Sequence, residues 1–285
     1  MKSIWTKEKV LEKIKEYHNI LGRKPSKYEV GSLYSVSRKT FGTWGNALRT
    51  AGYEIKPCQK AEIPTSITKE LAYFLGLVLS DGHIVNNKVE CDYAVKIYTS
   101  YENERDIIIR LIKKLFGYTA HIRKRKYGFN KLPNYEIIIS SKPLVNFIID
   151  NFQIPAGKKS HIIRIPEAFW KNEMFFHLLR GIIDGDGGVD KVGIGIYSSS
   201  KEFLNDIYEI LFYFKIKTWK ISHSKSMVWR IIIPIAYSMK LYGKLYKGSS
   251  FFYPKVKNAW EENILTYDKK SITLPPVTQR QSNRL

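Results

Sequence analysis

The chain has 285 residues, 44% of them hydrophobic and 14% aromatic, enough for one large domain or two to three smaller ones and too much for a disordered polypeptide. Lys and Arg number 47 against 26 Asp and Glu, and a net charge of +21 is relieved best by a polyanion, so nucleic acid is the expected partner. The two cysteines, Cys58 and Cys91, are isolated, which excludes a disulfide framework or cysteine zinc site and points to a reducing, intracellular location.

No apolar signal core follows Met1, and the run Leu71 to Leu79 is far too short to cross a bilayer. A soluble chain with no membrane partner is expected, cytoplasmic or nucleoid-associated, with an organelle matrix as the other compartment. Residues 1–55 read as a small all-α unit. Thr6 can cap a helix carrying Val10, Leu11, Ile14 and Tyr17 at helical spacing, and Gly22 can end it. Ser26 and Glu29, after Pro25, form a capping-box pattern that predicts a second short helix. Ser37 to Phe41 and Trp44 to Ala51 are predicted as further helices, with Gly52 as terminator. Arg38, Lys39 and Arg49 give these helices basic tips, the composition of a helix-turn-helix-like module that touches DNA. Residues 56–66 contain Pro57 and Pro64 and no periodicity, and are expected to be a linker.

Beyond the linker the same order of elements occurs twice, over residues 67–168 and 169–262. In the first copy Thr68 caps a helix ending near Asp81, a strand leads to Ile97-Tyr98-Thr99-Ser100, and a helix runs from Arg105 to Phe116. Strands at Ala120–Tyr127 and Tyr135–Ser140 and a helix at Pro143–Asn151 complete it. The second copy has a helix ending at Asp186, a strand at Val192–Tyr197 and a helix from Glu202 to Phe214. Strands at Thr218–His223 and Val228–Ile233 and a helix at Ala236–Tyr246 follow. The expected fold class is α+β, a duplicated αββαββα unit preceded by the small helical domain. Alternation puts His121, Arg123, Arg125 and Tyr127 on one strand face, and Thr218, Lys220, Ser222 and Ser224 on another. Such faces suit a major groove, so Lys96, Arg123, Arg125, Lys220 and Arg230 are candidate DNA contacts. The polar tail, residues 263–285 with Leu274-Pro275-Pro276, receives no role beyond wrapping DNA or moving freely.

The chemistry is concentrated in two similar segments. Phe74-Leu75-Gly76-Leu77-Val78-Leu79-Ser80-Asp81-Gly82 and Leu179-Arg180-Gly181-Ile182-Ile183-Asp184-Gly185-Asp186-Gly187 are apolar runs with a glycine five residues before an Asp-Gly pair. A single Asp-Gly after a helix is a common stop. Duplicated, and with Gly76 and Gly181 allowing two helix backbones to approach, the pattern would bring Asp81 and Asp186 together at one end. Two such carboxylates repel unless they share a cation, and an all-oxygen set suits Mg²⁺ with water and phosphate oxygens completing its shell. Metal-assisted phosphodiester hydrolysis is the reaction this arrangement serves. Asp184-Gly185-Asp186-Gly187-Gly188 lacks the later ligands of a calcium loop, no phosphate-binding glycine loop occurs, and the six histidines form no metal-spaced cluster.

Both segments resemble the signature motif of the LAGLIDADG homing endonucleases, and the flanking repeats agree with that family from about Thr68 to Trp260. The resemblance implies a saddle of two pseudo-two-fold halves, acting as a monomer on double-stranded DNA with a long asymmetric target, of the intron-encoded kind. It implies Asp81 and Asp186 as metal ligands for Mg²⁺ or another divalent cation, such as Mn²⁺ or a Ca²⁺ bound without turnover. A contribution from the carbonyl at the preceding position, Ser80 in the first copy, is left open. Asp184 fills an earlier acidic position that the first copy replaces with Leu79. The family's basic residue maps onto Lys159 in Gly157-Lys158-Lys159-Ser160, with Lys158 second, and more loosely onto Lys255 in Phe252-Tyr253-Pro254-Lys255. The segments Gly22-Arg23-Lys24-Pro25-Ser26 and Phe41-Gly42-Thr43-Trp44-Gly45-Asn46-Ala47-Leu48 are similar to a repeat associated with homing endonucleases, implying an added DNA-contacting module. Two alternatives use the same fold: an RNA-splicing maturase with intron RNA as partner, and a DNA-binding regulator that does not cleave.

Overall fold

The computed structural model describes residues 5–55, 59–125, 134–223, 228–246 and 248–273, the side chains of Arg125, Met239 and residues 264–273 excepted. The chain divides into two compact units, Met1–Gln59 and Lys60–Leu285.

The first unit has three helices, α1 (Lys7–Leu21), α2 (Ser32–Phe41) and α3 (Trp44–Thr50). The Thr6 hydroxyl accepts from the Lys9 amide at 3.3 Å, and Gly22 ends α1 in the left-handed region at φ 64°. No helix opens at Ser26. There the Glu29 carboxylate accepts from the Ser26 amide at 2.8 Å and is ion-paired with Arg23, closing an isolated turn. Gly31, at φ 52°, then redirects the chain, so α2 starts only at Ser32 and runs unbroken through the segment predicted to begin at Ser37. Thr43 caps α3 through the Asn46 amide at 3.0 Å. Val10, Ile14, Val30, Leu33, Ala47 and Leu48 form a separate core of this unit. Arg38, Lys39 and Arg49 stay on the surface.

The second unit is the duplication. Its first copy runs α4 (Lys69–Leu79), β1 (Gly82–Asn87), β2 (Asp92–Thr99), α5 (Glu102–Phe116), β3 (His121–Arg125), β4 (Asn134–Ser140) and α6 (Lys142–Phe152). After a 3₁₀ turn at Glu167–Phe169 the second runs α7 (Met174–Asp186), β5 (Gly187–Val189), β6 (Gly193–Ser198), α8 (Lys201–Tyr213), β7 (Ser222–His223), β8 (Trp229–Pro234) and α9 (Ile235–Tyr246). The sheets have the same order, β1-β2-β4-β3 and β5-β6-β8-β7, and every pairing is antiparallel.

Register decides which face meets the helices. In the first sheet Ile84 pairs with Val95 and Val95 with Ile139, while Ile97 pairs with Ile137. All five are buried, as are Ile194, Ile196, Ile231 and Ile233 of the second sheet. Each such side chain contributes about 1.5–3 kcal/mol when fully buried. The opposite faces carry His83, Lys96, Tyr98, Glu136 and Arg123 in one copy, and Gly188, Gly195, Tyr197, Arg230 and Ser222 in the other.

Several expectations need correction. The predicted linker is not free along its length: the Glu62 amide donates to the Phe116 carbonyl at 3.0 Å, and Ala61 and Ile63 pack on the large core. The predicted strand at 218–223 shrinks to Ser222–His223. Lys215, at φ 57°, turns the chain sharply after α8, and before β7 the Trp219 amide makes a 2.8 Å bond to the Ile232 carbonyl. Thr218 and Lys220 therefore lie outside the strand, and Ser224 and Tyr127 lie outside the described residues. The supposed tail begins as helix: α10 spans Pro254–Thr273, anchored by fully buried Trp260 and Tyr253. Leu274-Pro275-Pro276 lies outside the described residues.

Candidate active site at the helix seam

Helices α4 and α7 pack backbone to backbone. A Cβ built on Gly76 would stand 2.2 Å from the Leu178 carbonyl oxygen and 2.9 Å from the Gly181 Cα. One on Gly181 would stand 2.3 Å from the Tyr73 carbonyl oxygen. No residue with a side chain fits either place. The glycine after each acid is equally constrained. A Cβ on Gly82 would lie 2.5 Å from the Val78 carbonyl oxygen, and one on Gly187 would lie 2.4 Å from that of Ile183. Each Asp-Gly step thus turns the chain tightly off its helix into β1 or β5, leaving Asp81 and Asp186 at the same end of the seam.

At that end the copies interlock. A Cβ on Gly185 would meet the Ser80 hydroxyl at 2.2 Å and an Asp81 carboxylate oxygen at 2.8 Å. Burial raises the Asp81 pKa to about 7, with the charges of Asp186 and then Glu104 adding to it and Lys159 opposing. Burial also raises Asp186, again against Lys159. Lys159 is only 7% exposed, and its ammonium donates to the carbonyls of Leu79 and, at 3.1 Å, Ser80. These are the C-terminal carbonyls of α4, where a helix is electronegative. Burial lowers the Lys159 pKa, and Asp186 and Asp81 hold it up. One ammonium therefore faces two carboxylates.

The set leaves room for further positive charge. Its donors are carboxylate oxygens, and among the described residues no group of three or more His, Cys, Asp or Glu forms a complete metal cage. A hard divalent cation that keeps part of its shell for water and phosphate oxygens fits this arrangement.

Other predicted residues fall elsewhere. Lys255 is not brought to the acid pair; its ammonium lies 3.4 Å from the Tyr101 hydroxyl and 5.0 Å from that ring's centre. Tyr253, two residues earlier, is tied by its amide to the Asp184 carboxylate at 2.8 Å, which fixes the start of α10 where Lys255 reaches Tyr101. Lys158 is exposed. Asp184 is buried and also accepts from the Tyr73 hydroxyl at 2.7 Å, an internal brace between α4, α7 and α10. Lys96 is ion-paired with buried Glu136 at 3.0 Å, and Arg123 reaches the same carboxylate at 4.0 Å. Arg125 pairs through its backbone with Asn134. Arg230 is exposed and donates to the Ser222 hydroxyl at 3.1 Å, while Lys220 is exposed outside the strands. Arg49 donates to Asn46 at 3.1 Å and Arg38 lies over the Tyr34 ring.

Two groups escaped the sequence reading. Glu104, 8% exposed, accepts from the Thr99 hydroxyl. In the sequence it looks like an ordinary first-turn acid, and only alignment with Phe203 of the second copy flags it. Buried Arg180 donates to the Leu245 carbonyl, Ser249 and the His177 ring, and stacks over Tyr73 at 4.6 Å. An arginine inside an apolar motif helix was the available signal.

Comparison with known proteins agrees with this architecture. Residues 5–54 match the homing endonuclease associated repeat. The chain is 31% identical over 148 residues to the replication factor C small subunit of Methanocaldococcus jannaschii, covering 52% of the chain and 8% of that protein. It is 29% identical over 191 residues to the RNA polymerase subunit Rpo1C of the same organism, covering 64% of the chain and 20% of that protein. The probable translation initiation factor IF-2 of that organism is 28% identical over 172 residues, 56% of the chain and 13% of that protein. The chain thus spans no more than a fifth of the length of these curated relatives. Among solved structures, a mesophilic variant of the homing endonuclease I-DmoI has a TM-score of 0.49 at 17% identity, covering 64% of this chain and 97% of that one. I-DmoI in complex with DNA and Mn gives 0.47 at 18% identity, covering 64% and 98%. I-WcaI bound to its DNA recognition sequence gives 0.48 at 16% identity, covering 69% and 88%. The LAGLIDADG-like domain matches residues 68–148 and 175–241, more than half of the chain and both copies of the duplicated unit, so the chain belongs to the LAGLIDADG-like domain family.

Proposed function

We propose that the chain is a site-specific endonuclease of double-stranded DNA that uses divalent metal ions and acts as a monomer. The observation that carries this reading is that Asp81 and Asp186, from two copies, stand at one end of a glycine-packed seam, the Asp81 carboxylate beside Gly185 and within reach of the Asp186 charge, with buried Lys159 acting on both. Because both halves lie in one chain, a second subunit is not needed to complete the site. The curated relatives are named for replication, transcription and translation, and the chain matches only a fifth or less of each.

Asp81 and Asp186 would hold Mg²⁺ or a similar divalent cation, which when bound supplies Lewis-acid activation of the phosphodiester. Lys159, held on the Leu79 and Ser80 carbonyls, keeps a positive charge where negative charge grows on the scissile phosphate. The cationic face around Lys96 and Arg123, and Arg230 in the other sheet, would lie along the major groove. Arg38, Lys39 and Arg49 of the helical unit would lengthen the contacted site, in keeping with the repeat matched there. Such an enzyme works in whichever compartment holds its DNA.

The test is cleavage of a pool of random duplexes by the full chain in Mg²⁺, with recovered ends sequenced. One preferred long site is expected, and Asp81→Asn and Asp186→Asn should each lower the rate by at least about 10³-fold with binding retained. Tight binding with no cleavage by the unaltered chain would replace the nuclease with a DNA-binding regulator.

A further inference from the structure

At the far end of the seam from the acids, the starts of α4 and α7 meet α9 around an open cavity of about 590 Å³. Along α7 the two ends are about 18 Å apart, at about 1.5 Å per residue from Met174 to Asp186. The ionisable lining is Lys69 from the first copy, with Glu173, His177, Lys240 and Lys244 from the second. Lys244 holds both carboxylate oxygens of Glu173, at 2.9 and 3.1 Å. Lys69 and Lys240 are exposed, and among the described residues neither has an acidic or hydrogen-bonded partner. A Cβ on Gly248 would lie 3.5 Å from the Lys69 ammonium, so this lysine of the first copy stands against the wall of the second.

Behind this cavity lies a buried cation. Arg180, 2% exposed, donates to the Leu245 carbonyl, to Ser249 beside Gly248, and at 3.0 Å to Nδ1 of His177. These partners are neutral, no carboxylate among the described residues is ion-paired with Arg180, and its Nε has no acceptor. A buried charge without a counter-charge is costly. Arginine can only donate, so His177 accepts at Nδ1 and carries its proton on Nε2. His177 is 6% exposed and lines the cavity, and its Nε2 is neither bonded among the described residues nor sealed from solvent. A fixed N–H donor and two unpaired ammoniums thus converge from three helices. Three donors on three elements suit a tetrahedral anion with several acceptor oxygens, and two spare positive charges match a phosphate. We infer that this cavity binds a phosphate group, which accepts from His177 and pairs with Lys69 and Lys240, tying the first copy to the second and serving as counter-charge to Arg180. The group could come as free phosphate or a phosphomonoester, or as a backbone phosphate of a nucleic acid. The inference does not depend on the endonuclease reading.

The test is thermal melting of the full chain, without DNA or Mg²⁺, as inorganic phosphate replaces chloride at constant pH and ionic strength. About 50 mM phosphate should raise the melting temperature by about 3 °C or more. The double variant Lys69→Gln/Lys240→Gln, which alters only exposed side chains, should lose most of that rise. Lys7→Gln/Lys15→Gln removes the same charge from α1 and should keep it. A single-stranded oligonucleotide without terminal phosphates distinguishes the sources. If it too gives a rise that depends on Lys69 and Lys240, the site takes backbone phosphates; if only inorganic phosphate does, the site takes a free phosphate or phosphomonoester. No rise with either probe, or equal rises in all three chains, would overturn the inference. A chain that fails this test and still cuts DNA would leave the nuclease reading intact.

Discussion

Lys159 and His177 show how one buried cationic or ionisable side chain can be read from its neighbours. The Lys159 ammonium is fixed by two backbone carbonyls and faces both seam acids. Replacement by methionine keeps the packing and removes the charge. Lys159→Met is expected to slow cleavage by roughly 10²–10³-fold at nearly unchanged DNA affinity, checked by single-turnover rates beside a binding titration. His177 sits 3.0 Å from the Arg180 guanidinium through Nδ1. Arginine can only donate, so Nδ1 must accept and the ring must be neutral. Burial first, then Arg180 and Lys69, lower the His177 pKa to about 4. The unfolded chain therefore binds this proton first as pH falls, so the contribution is whole above about 6.5 and lost on the way down to about 4. Chemical denaturation of the native chain and of His177→Gln across that window should show the native chain losing more stability; parallel curves would refute the assignment.

At the scale of elements, the seam between α4 and α7 tolerates no side chain on its two glycines. Gly181→Ala puts a methyl 2.3 Å from the Tyr73 carbonyl oxygen and 2.9 Å from the Gly76 Cα, both backbone atoms that cannot rotate away. The helices must separate, at a cost of about 3 kcal/mol or more, and the melting temperature should fall by roughly 6–12 °C. Gly243 in α9 is the control, since a Cβ there meets nothing within 4 Å. Gly243→Ala should leave stability unchanged or raise it by up to about 1 kcal/mol. If both substitutions melt alike, the seam does not hold the two copies together.

At the scale of the molecule, charge and division into units set the expected behaviour with DNA. Among the described residues no helix is long and apolar enough to cross a membrane, and the +21 charge remains to be matched by a polyanion. The units have separate cores. Removing residues 1–59 should leave the melting transition of the remainder within about 2 °C. DNA binding should weaken, and the slope of log affinity against log salt should flatten by about 0.9 for each phosphate that the helical unit had neutralised. A slope that does not change would show that the helical unit neutralises no phosphates.

The sequence alone was enough for the duplication, the order of elements in each copy, the capping by Thr6 and Thr68 and the seam position of the acids. These follow from periodicity, caps and a repeated glycine-to-Asp-Gly spacing, all of which are local. It misjudged Ser26, where a carboxylate shared with Arg23 makes a turn instead of a helix, and the segment after Lys215, where a left-handed residue delays the strand. Only the tertiary structure placed Lys159 over the end of α4, carried Lys255 away to Tyr101, and turned Asp184 into a brace for α10. Each of these depends on partners some seventy or more residues away, and spacing along the chain carries no record of which buried groups will meet.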